Sequence, residues 1–235
     1  MGDFDGQCVL VTGGSRGIGR AVCEEFGRRG AVVAVHYATN EAAAHEVVDG
    51  LPGEGHVAIP ADLGAGGARD LIESAIEQLG RIDVLVNNAG IYEAHPVLTT
   101  SPEDWDASWA RTIATNLIGP ADLIHAVVPH MVKQGGGRIV NVTSRGAFRG
   151  EPAHAAYGAS KAGLNSLSQS MAVALAPHSI YVTAVAPGFV ETDMAADYLN
   201  GPGGDAVKAQ SPMGRAASPA EIARVVVFLA SPGSE

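Results

Sequence analysis

Six short apolar runs alternate along the chain with longer stretches in which apolar residues recur every three to four positions. The runs are Gln7–Thr12, Ala31–Tyr37, His56–Pro60, Asp83–Asn87, Arg138–Thr143 and Ser179–Val185, all of strand length and rich in β-branched residues. They are nearly continuous in hydrophobicity rather than alternating, as strands covered on both faces should be. Helical periodicity predicts helices over Gly17–Arg29, Glu41–Gly50, Gly66–Leu79, Pro102–Met131 with a loop or kink near Gly119-Pro120, Ala156–Ala176 and Pro219–Ala230. Strand and helix in strict alternation predict right-handed βαβ crossovers, and so an α/β fold with a doubly wound parallel sheet and helices on both faces. Phe189–Ala217 has no clear pattern and holds Asn200-Gly-Pro-Gly-Gly204. A stretch of that length inside a compact domain is usually functional, and a substrate lid is expected over residues 189–217.

Composition narrows the class. The 235 residues suit one domain. Hydrophobic residues at 46% and charged residues at 17% supply a core and little sign of disorder. The net charge of −10 argues against a nucleic-acid or anionic-membrane partner. Apolar runs such as Val225–Ala230 are far short of a membrane helix, and the acidic start Met1–Asp5 lacks a basic leader, so a cytoplasmic protein is expected. Cys8 and Cys23, the only cysteines, read as buried thiols. With no His-Glu-x-x-His, and with His125 and His130 off a shared helix face, no metal site is expected. The 30 glycines are about twice the usual share yet form no linker or repeat, so they must serve local turns.

One such turn follows the first strand: Thr12-Gly-Gly-Ser-Arg-Gly-Ile-Gly19 opens directly into a helix. Gly13, Gly17 and Gly19 there permit a tight turn, close approach to a pyrophosphate and close helix–strand packing, with the helix N-terminus facing the phosphates. Further on, Tyr157 and Lys161 stand at i and i+4, which sets an ammonium beside a phenol on one helix face. That neighbour favours phenolate and should pull the Tyr pKa toward operating pH, where a general acid works best.

These motifs, together with Asp62-Leu63, Asn87-Asn-Ala-Gly90, Asn116, Ser144, the full Tyr157-Gly-Ala-Ser-Lys161 and Pro187-Gly188, occur in order over nearly the whole chain. The sequence thereby resembles the short-chain dehydrogenase/reductases, most of all the 3-oxoacyl-carrier-protein-reductase-like branch. The resemblance implies a single Rossmann-type domain spanning residues 1–235 that transfers hydride between a nicotinamide and a carbonyl or alcohol. It implies that Tyr157 protonates the carbonyl oxygen, that Ser144 polarises it, that Lys161 binds the nicotinamide ribose, and that Asn116 holds a relay water. Gly13, Ser15, Arg16, Gly17, Ile18 and Gly19 would cradle the pyrophosphate. Asp62 and Leu63 would line the adenine, Asn87, Ala89 and Gly90 its ribose, and Pro187, Gly188, Val190 and Thr192 the carboxamide. Where NAD enzymes place an acid, at the end of the second strand, this chain has His36-Tyr37-Ala38-Thr39-Asn40. Tyr37, Thr39 and Asn40 with Arg16 would then accept a 2′-phosphate, so NADP(H) is expected in preference to NAD(H).

The substrate expected is a small free ketone or aldehyde, or the alcohol in reverse. An acidic carrier is disfavoured by the net charge and by Gln134-Gly135-Gly136-Gly137 and His178, taken as neutral positions beside the cleft. Tyr92, Glu93, Arg145, Phe148, His154, Val190, Met194 and Tyr198 are candidate pocket walls. Carrier-protein reduction, a cofactor-sensing regulator without turnover, and epimerase or hydro-lyase chemistry are the alternatives. Two departures from the family pattern stand out. Ser179 replaces a helix-ending Gly, and the sequence given stops at Ser231-Pro-Gly-Ser-Glu235 where relatives add a last strand. Either a tail is missing from that sequence, or the sixth strand is an exposed edge and one subunit contact is weakened. Relatives imply a homotetramer or homodimer joined by the long helices.

Overall fold

The computed structural model describes residues 2–234. All six expected strands form: β1 (Cys8–Val11), β2 (Val32–Tyr37), β3 (Val57–Pro60), β4 (Val84–Asn87), β5 (Gly137–Val142) and β6 (Ile180–Val185). They pair in parallel in the order β3-β2-β1-β4-β5-β6, which reverses direction between β1 and β4. In such sheets ligands bind outside the C-terminal strand ends at that reversal. Among the described residues no strand follows the last helix, and β6 forms one edge.

Helices α1 (Gly17–Arg28), α2 (Glu41–Gly50), α3 (Ala68–Leu79), α4 (Pro102–Ile113), α5 (Gly119–Gln134), α6 (Ala155–Leu175) and α9 (Pro219–Leu229) surround the sheet, and two short helices, α7 (Asp193–Asn200) and α8 (Gly204–Lys208), pack together after β6. Alternate residues of one strand feed different cores. Val9 and Val11 join Val33, Val35, Val84 and Val86 beneath Phe26 of α1 and Val226 of α9. Leu10 joins Ala34, Leu85 and Ile139 beneath Leu71 of α3 and Leu123 of α5. Burial on both faces is why the strands read as unbroken apolar runs.

The kink expected at Gly119-Pro120 is a widened helical turn over Ala114–Ile118, where the Gly119 N–H reaches back to the Ala114 carbonyl. Pro120 has no N–H to donate to the preceding turn, and a π-type bulge absorbs the missing bond without ending the helix. The segment expected to be patternless carries α7 and α8; Gly and Pro between two short helices hide their periodicity. Its ends are stitched by a parallel bridge between Val190 and Ala217, with Glu191 N–H donating to Ala217 O at 2.9 Å and Ala217 N–H to Phe189 O at 2.9 Å. Ser179 adopts φ 57°, the left-handed region that glycine takes without strain.

Candidate active site

The glycine turn leaves β1 through Thr12, whose hydroxyl is buried and fully engaged. It donates to Val86 O at 3.2 Å and accepts from the N–H groups of Asn88 and Ala89 at 2.9 and 3.0 Å. Asn88 returns its amide to Thr12 O and Gly13 O at 2.9 and 3.2 Å. His36 completes the brace: Nδ1 accepts from Gly13 N–H at 3.0 Å, and Nε2 lies 3.0 Å from Ala61 O, which sets it as the protonated nitrogen. Burial lowers the His36 pKa and favours this neutral ring. Asn88 was expected only as part of the Asn87–Gly90 motif on the ribose side, and neither Thr12 nor the His36 side chain was expected to shape the site. Their partners lie far away in sequence, where local patterns carry no signal.

Gly13 and Gly17 have φ of 63° and 54°, and a Cβ on Gly19 would stand 2.0 Å from Gly13 O. No side chain caps α1 at Arg16, so its first N–H groups and the positive end of its dipole face the turn. Ser15 and Ile18 are half-buried and Arg16 is exposed. Thr192 packs beside Gly17, with Cγ2 3.2 Å from where a Cβ would be, bringing the Pro187–Thr192 segment to the same turn; Gly188 borders open space, while Val190 is buried in the core.

At the adenosine end Tyr37 is buried and Thr39 and Asn40 are exposed. Asn40 Oδ1 accepts from Ala43 N–H at 3.0 Å as the cap of α2, so only its amide NH2 is left for a phosphate. Asp62 accepts from Gly64 and Ala65 N–H at 2.9 and 3.2 Å; Leu63 is buried beneath Gly119. Asn87 points away from the cleft: 2% exposed, it donates to Asn141 Oδ1 at 2.8 Å between β4 and β5. Ala89 and Gly90 are half-buried just past it.

The catalytic residues expected from the sequence converge at the C-terminal ends of β4 and β5. Ser144 follows β5, and its Oγ accepts from Gly146 N–H at 3.0 Å. Burial pushes the Tyr157 phenol up, the nearby Ser144 hydroxyl pulls it down, and the Glu151 carboxylate pushes it up again, for a net rise. Lys161 is 4% exposed; it donates to Val142 O at 2.9 Å with Nζ 5.8 Å from the Tyr157 ring centroid, and burial lowers its pKa to about 8. The phenol is thus shifted up rather than down as expected, because burial dominates and the Lys161 ammonium donates to Val142 O. Asn116 lies in the widened turn and is wholly buried. Its Oδ1 accepts from Ile91 N–H at 2.9 Å and its Nδ2 donates to Ile91 O at 2.9 Å and lies 3.3 Å from Ser160 Oγ. Both ends of the amide are thus engaged in fixing the backbone beside Gly90. A relay water could use only its remaining acceptor capacity.

Another residue supports α6 from outside. His95, 2% exposed, accepts the Ala156 N–H at Nε2 at 3.0 Å, while the N-cap residue His154 makes no side-chain cap. His154 is itself buried, stacked on Tyr92 at 3.7 Å and hydrogen-bonded to Tyr198 OH at 2.9 Å. Tyr92 meets Tyr157 edge-on at 4.7 Å. Of the other expected walls, Glu93 pairs with Arg111 at 2.8 Å and Arg145 lies over Phe189 at 4.8 Å, while Phe148 and Met194 are exposed. Gln134–Gly136 precede β5, Gly137 opens it and His178 precedes β6, all at the N-terminal ends of the strands, opposite this cleft. Their neutrality is no argument about what docks at the cleft of the same chain, a correction to the expectation above.

A family model described as short chain dehydrogenase matches residues 7–202. The chain is 38% identical over 230 residues to the 3-oxoacyl-[acyl-carrier-protein] reductase FabG of Thermotoga maritima, covering 97% of this chain and 92% of that protein. It superposes with TM-score 0.89 and 32% identity on a short chain dehydrogenase from Burkholderia cenocepacia in complex with NADP, covering 99% and 93% of the two chains. The angucycline C-6 ketoreductase LanV with bound NADP gives TM-score 0.87 and 35% identity over 98% and 91%.

Proposed function

The chain belongs to the short-chain dehydrogenase/reductase family and is an NAD(P)-dependent oxidoreductase, and from that premise we propose that it reduces the carbonyl of a small ketone or aldehyde with NADPH. The observation that carries this reading is the convergence of Ser144, Tyr157 and Lys161 past the C-terminal end of β5, with Lys161 buried against Val142 O and its Nζ 5.8 Å from the Tyr157 ring centroid. A bound nicotinamide would supply the hydride. The raised pKa of Tyr157 keeps its proton in place at neutral pH, ready for the carbonyl oxygen as negative charge develops there. Ser144 donates to that oxygen and orients it. Lys161 Nζ lies beside Gly90, 3.5 Å from where a Cβ there would be, and would hold ribose hydroxyls.

The glycine turn fits a dinucleotide: a Cβ at Gly13, Gly17 or Gly19 would fill the cradle, and the uncapped N-terminus of α1 suits phosphate. Preference for NADPH is supported by exposed Arg16 and Thr39, with no carboxylate between residues 38 and 40. Similarity to FabG proteins keeps carrier-bound 3-oxoacyl substrates as a second reading. Exposed Ile118, Val132 and Val173 along the long helices are the proposed contacts of a homotetramer or homodimer, which light-scattering mass would check. No helix among the described residues is long and apolar enough to cross a membrane.

Oxidation of NADPH and NADH, followed separately with a panel of ketones and with a 3-oxoacyl thioester, tests the proposal. Tyr157→Phe should abolish nearly all turnover and leave NADPH affinity intact. Undiminished turnover in that variant would sink the assignment.

A further inference from the structure

The reduction chemistry leaves one charged group of the cleft without a task. Glu151 lies between Ser144 and α6, half-buried. Its Oε1 rests against Gly146, 2.9 Å from where a Cβ would be, two residues past Ser144. Its Oε2 lies 3.4 Å from Tyr92 OH, at the long end of a hydrogen bond. The Tyr92 ring in turn touches the edges of Tyr157 and Tyr198, at 4.7 and 5.7 Å. The carboxylate raises the pKa of all three phenols, so it shares one space with them.

No cation answers it. Among the described residues Glu151 forms no ion pair, and the neighbouring basic groups are turned elsewhere. Arg145 lies over Phe189 and donates to Gln210 at 3.0 Å, Arg111 pairs with Glu93, Lys161 donates to Val142 O, and Arg149, two residues away, is exposed and forms no ion pair with Glu151. A carboxylate can accept about four hydrogen bonds, and here one long contact from Tyr92 OH leaves most of that capacity unused. In a partly dry cleft a charge-assisted donor satisfies such a group, and a second anion is repelled by it.

We propose that Glu151 determines specificity: the cleft favours carbonyl compounds that carry a hydroxyl or ammonium donor near the reacting carbon, and disfavours those carrying a carboxylate or phosphate there. This rests on the carbonyl-reductase reading above. Glu151 takes no part in proton or hydride transfer; it meets the far end of the substrate.

The test uses four small methyl ketones with NADPH: aminoacetone, hydroxyacetone, butanone and acetoacetate. Each is assayed with the wild-type enzyme and with Glu151→Gln, so that the intrinsic reactivity of each ketone cancels in the ratio. The substitution should lower kcat/KM about tenfold or more for aminoacetone and about threefold for hydroxyacetone, leave butanone within about twofold, and raise acetoacetate about tenfold. An equal change for all four ketones would overturn the proposal. If the wild-type enzyme reduces none of them with NADPH or NADH, the carbonyl-reductase reading fails and this one with it. Should Glu151→Gln not fold, inhibition of the wild-type enzyme decides: isopropylammonium must compete with butanone more strongly than isobutyrate does, and the reverse order refutes the assignment.

Discussion

Replacing Thr12 by Val tests whether the site is built from the braces seen behind the glycine turn. The two side chains have nearly the same shape, so the substitution removes little besides the hydroxyl. Val86 O keeps its bond from the Thr12 N–H at 3.0 Å, but the amides of Asn88 and Ala89 lose their acceptor. Unpaired buried N–H groups cost about 1–3 kcal/mol each, and these two are half-buried, so the loss should be about 2–3 kcal/mol in total. Thr12→Ser keeps the hydroxyl and should stay within about 1 kcal/mol of the parent. Urea midpoints at fixed protein concentration, with an unchanged slope, measure both. Because Asn88 holds Gly13 O from the same junction, NADPH affinity should fall in step for Val and not for Ser. A Val variant within about 0.5 kcal/mol of wild type, or a Ser variant as damaged as Val, would refute the reasoning.

Gly19→Ala puts a Cβ 2.0 Å from Gly13 O and 2.6 Å from Asn88 Nδ2. Overpacking of this kind costs about 1–3 kcal/mol, and titration of NADPH fluorescence should show binding weakened by about tenfold or more. Ser179→Gly relieves the left-handed φ of 57° and should raise the urea midpoint by an amount equivalent to about 0.5–1 kcal/mol. Lys161→Met gives a pH signature in the cofactor-free protein. Burial lowers the Lys161 pKa to about 8, so below that pH the fold carries a buried charge, and above it the unfolded chain binds more protons. Stability contributed at this residue therefore rises with pH, and the wild type should gain about 2–3 kcal/mol on the Met variant between pH 7 and 10. Parallel stability curves for the two proteins would contradict that pKa.

The sheet was legible because each strand is buried on both faces, which makes its apolar run continuous whatever its side-chain parity. Parity, which the apolar runs do not use, is what misplaced Asn87. In β4 it shares a face with Leu85, and its register partner Asn141 shares a face with Ile139, so both side chains enter the buried layer, where Asn141 donates to Ser168 Oγ of α6 at 2.8 Å. Reading alternate residues of β4 against Leu85 would have shown this. Thr12 and His36 leave no such trace, since a buried hydroxyl or ring bonded to distant backbone has no spacing to detect, and Asn88 was marked by its motif but not by its role as a brace. Tyr157 and Lys161 were found through their i, i+4 spacing, but that spacing did not predict that Lys161 Nζ would turn to Val142 O.

The bridge between Val190 and Ala217 makes the segment between them a loop whose two ends leave the scaffold at one point. Whatever lies within that loop can lengthen, shorten or change its helices while the strand ends, Ser144 and the glycine turn stay where they are. Selection acting on such an architecture can exchange one recognition surface for another as a cassette, and a chimaera that grafts a relative's residues between Thr192 and Ala217 should inherit the donor's substrate preference with the host's cofactor site unchanged.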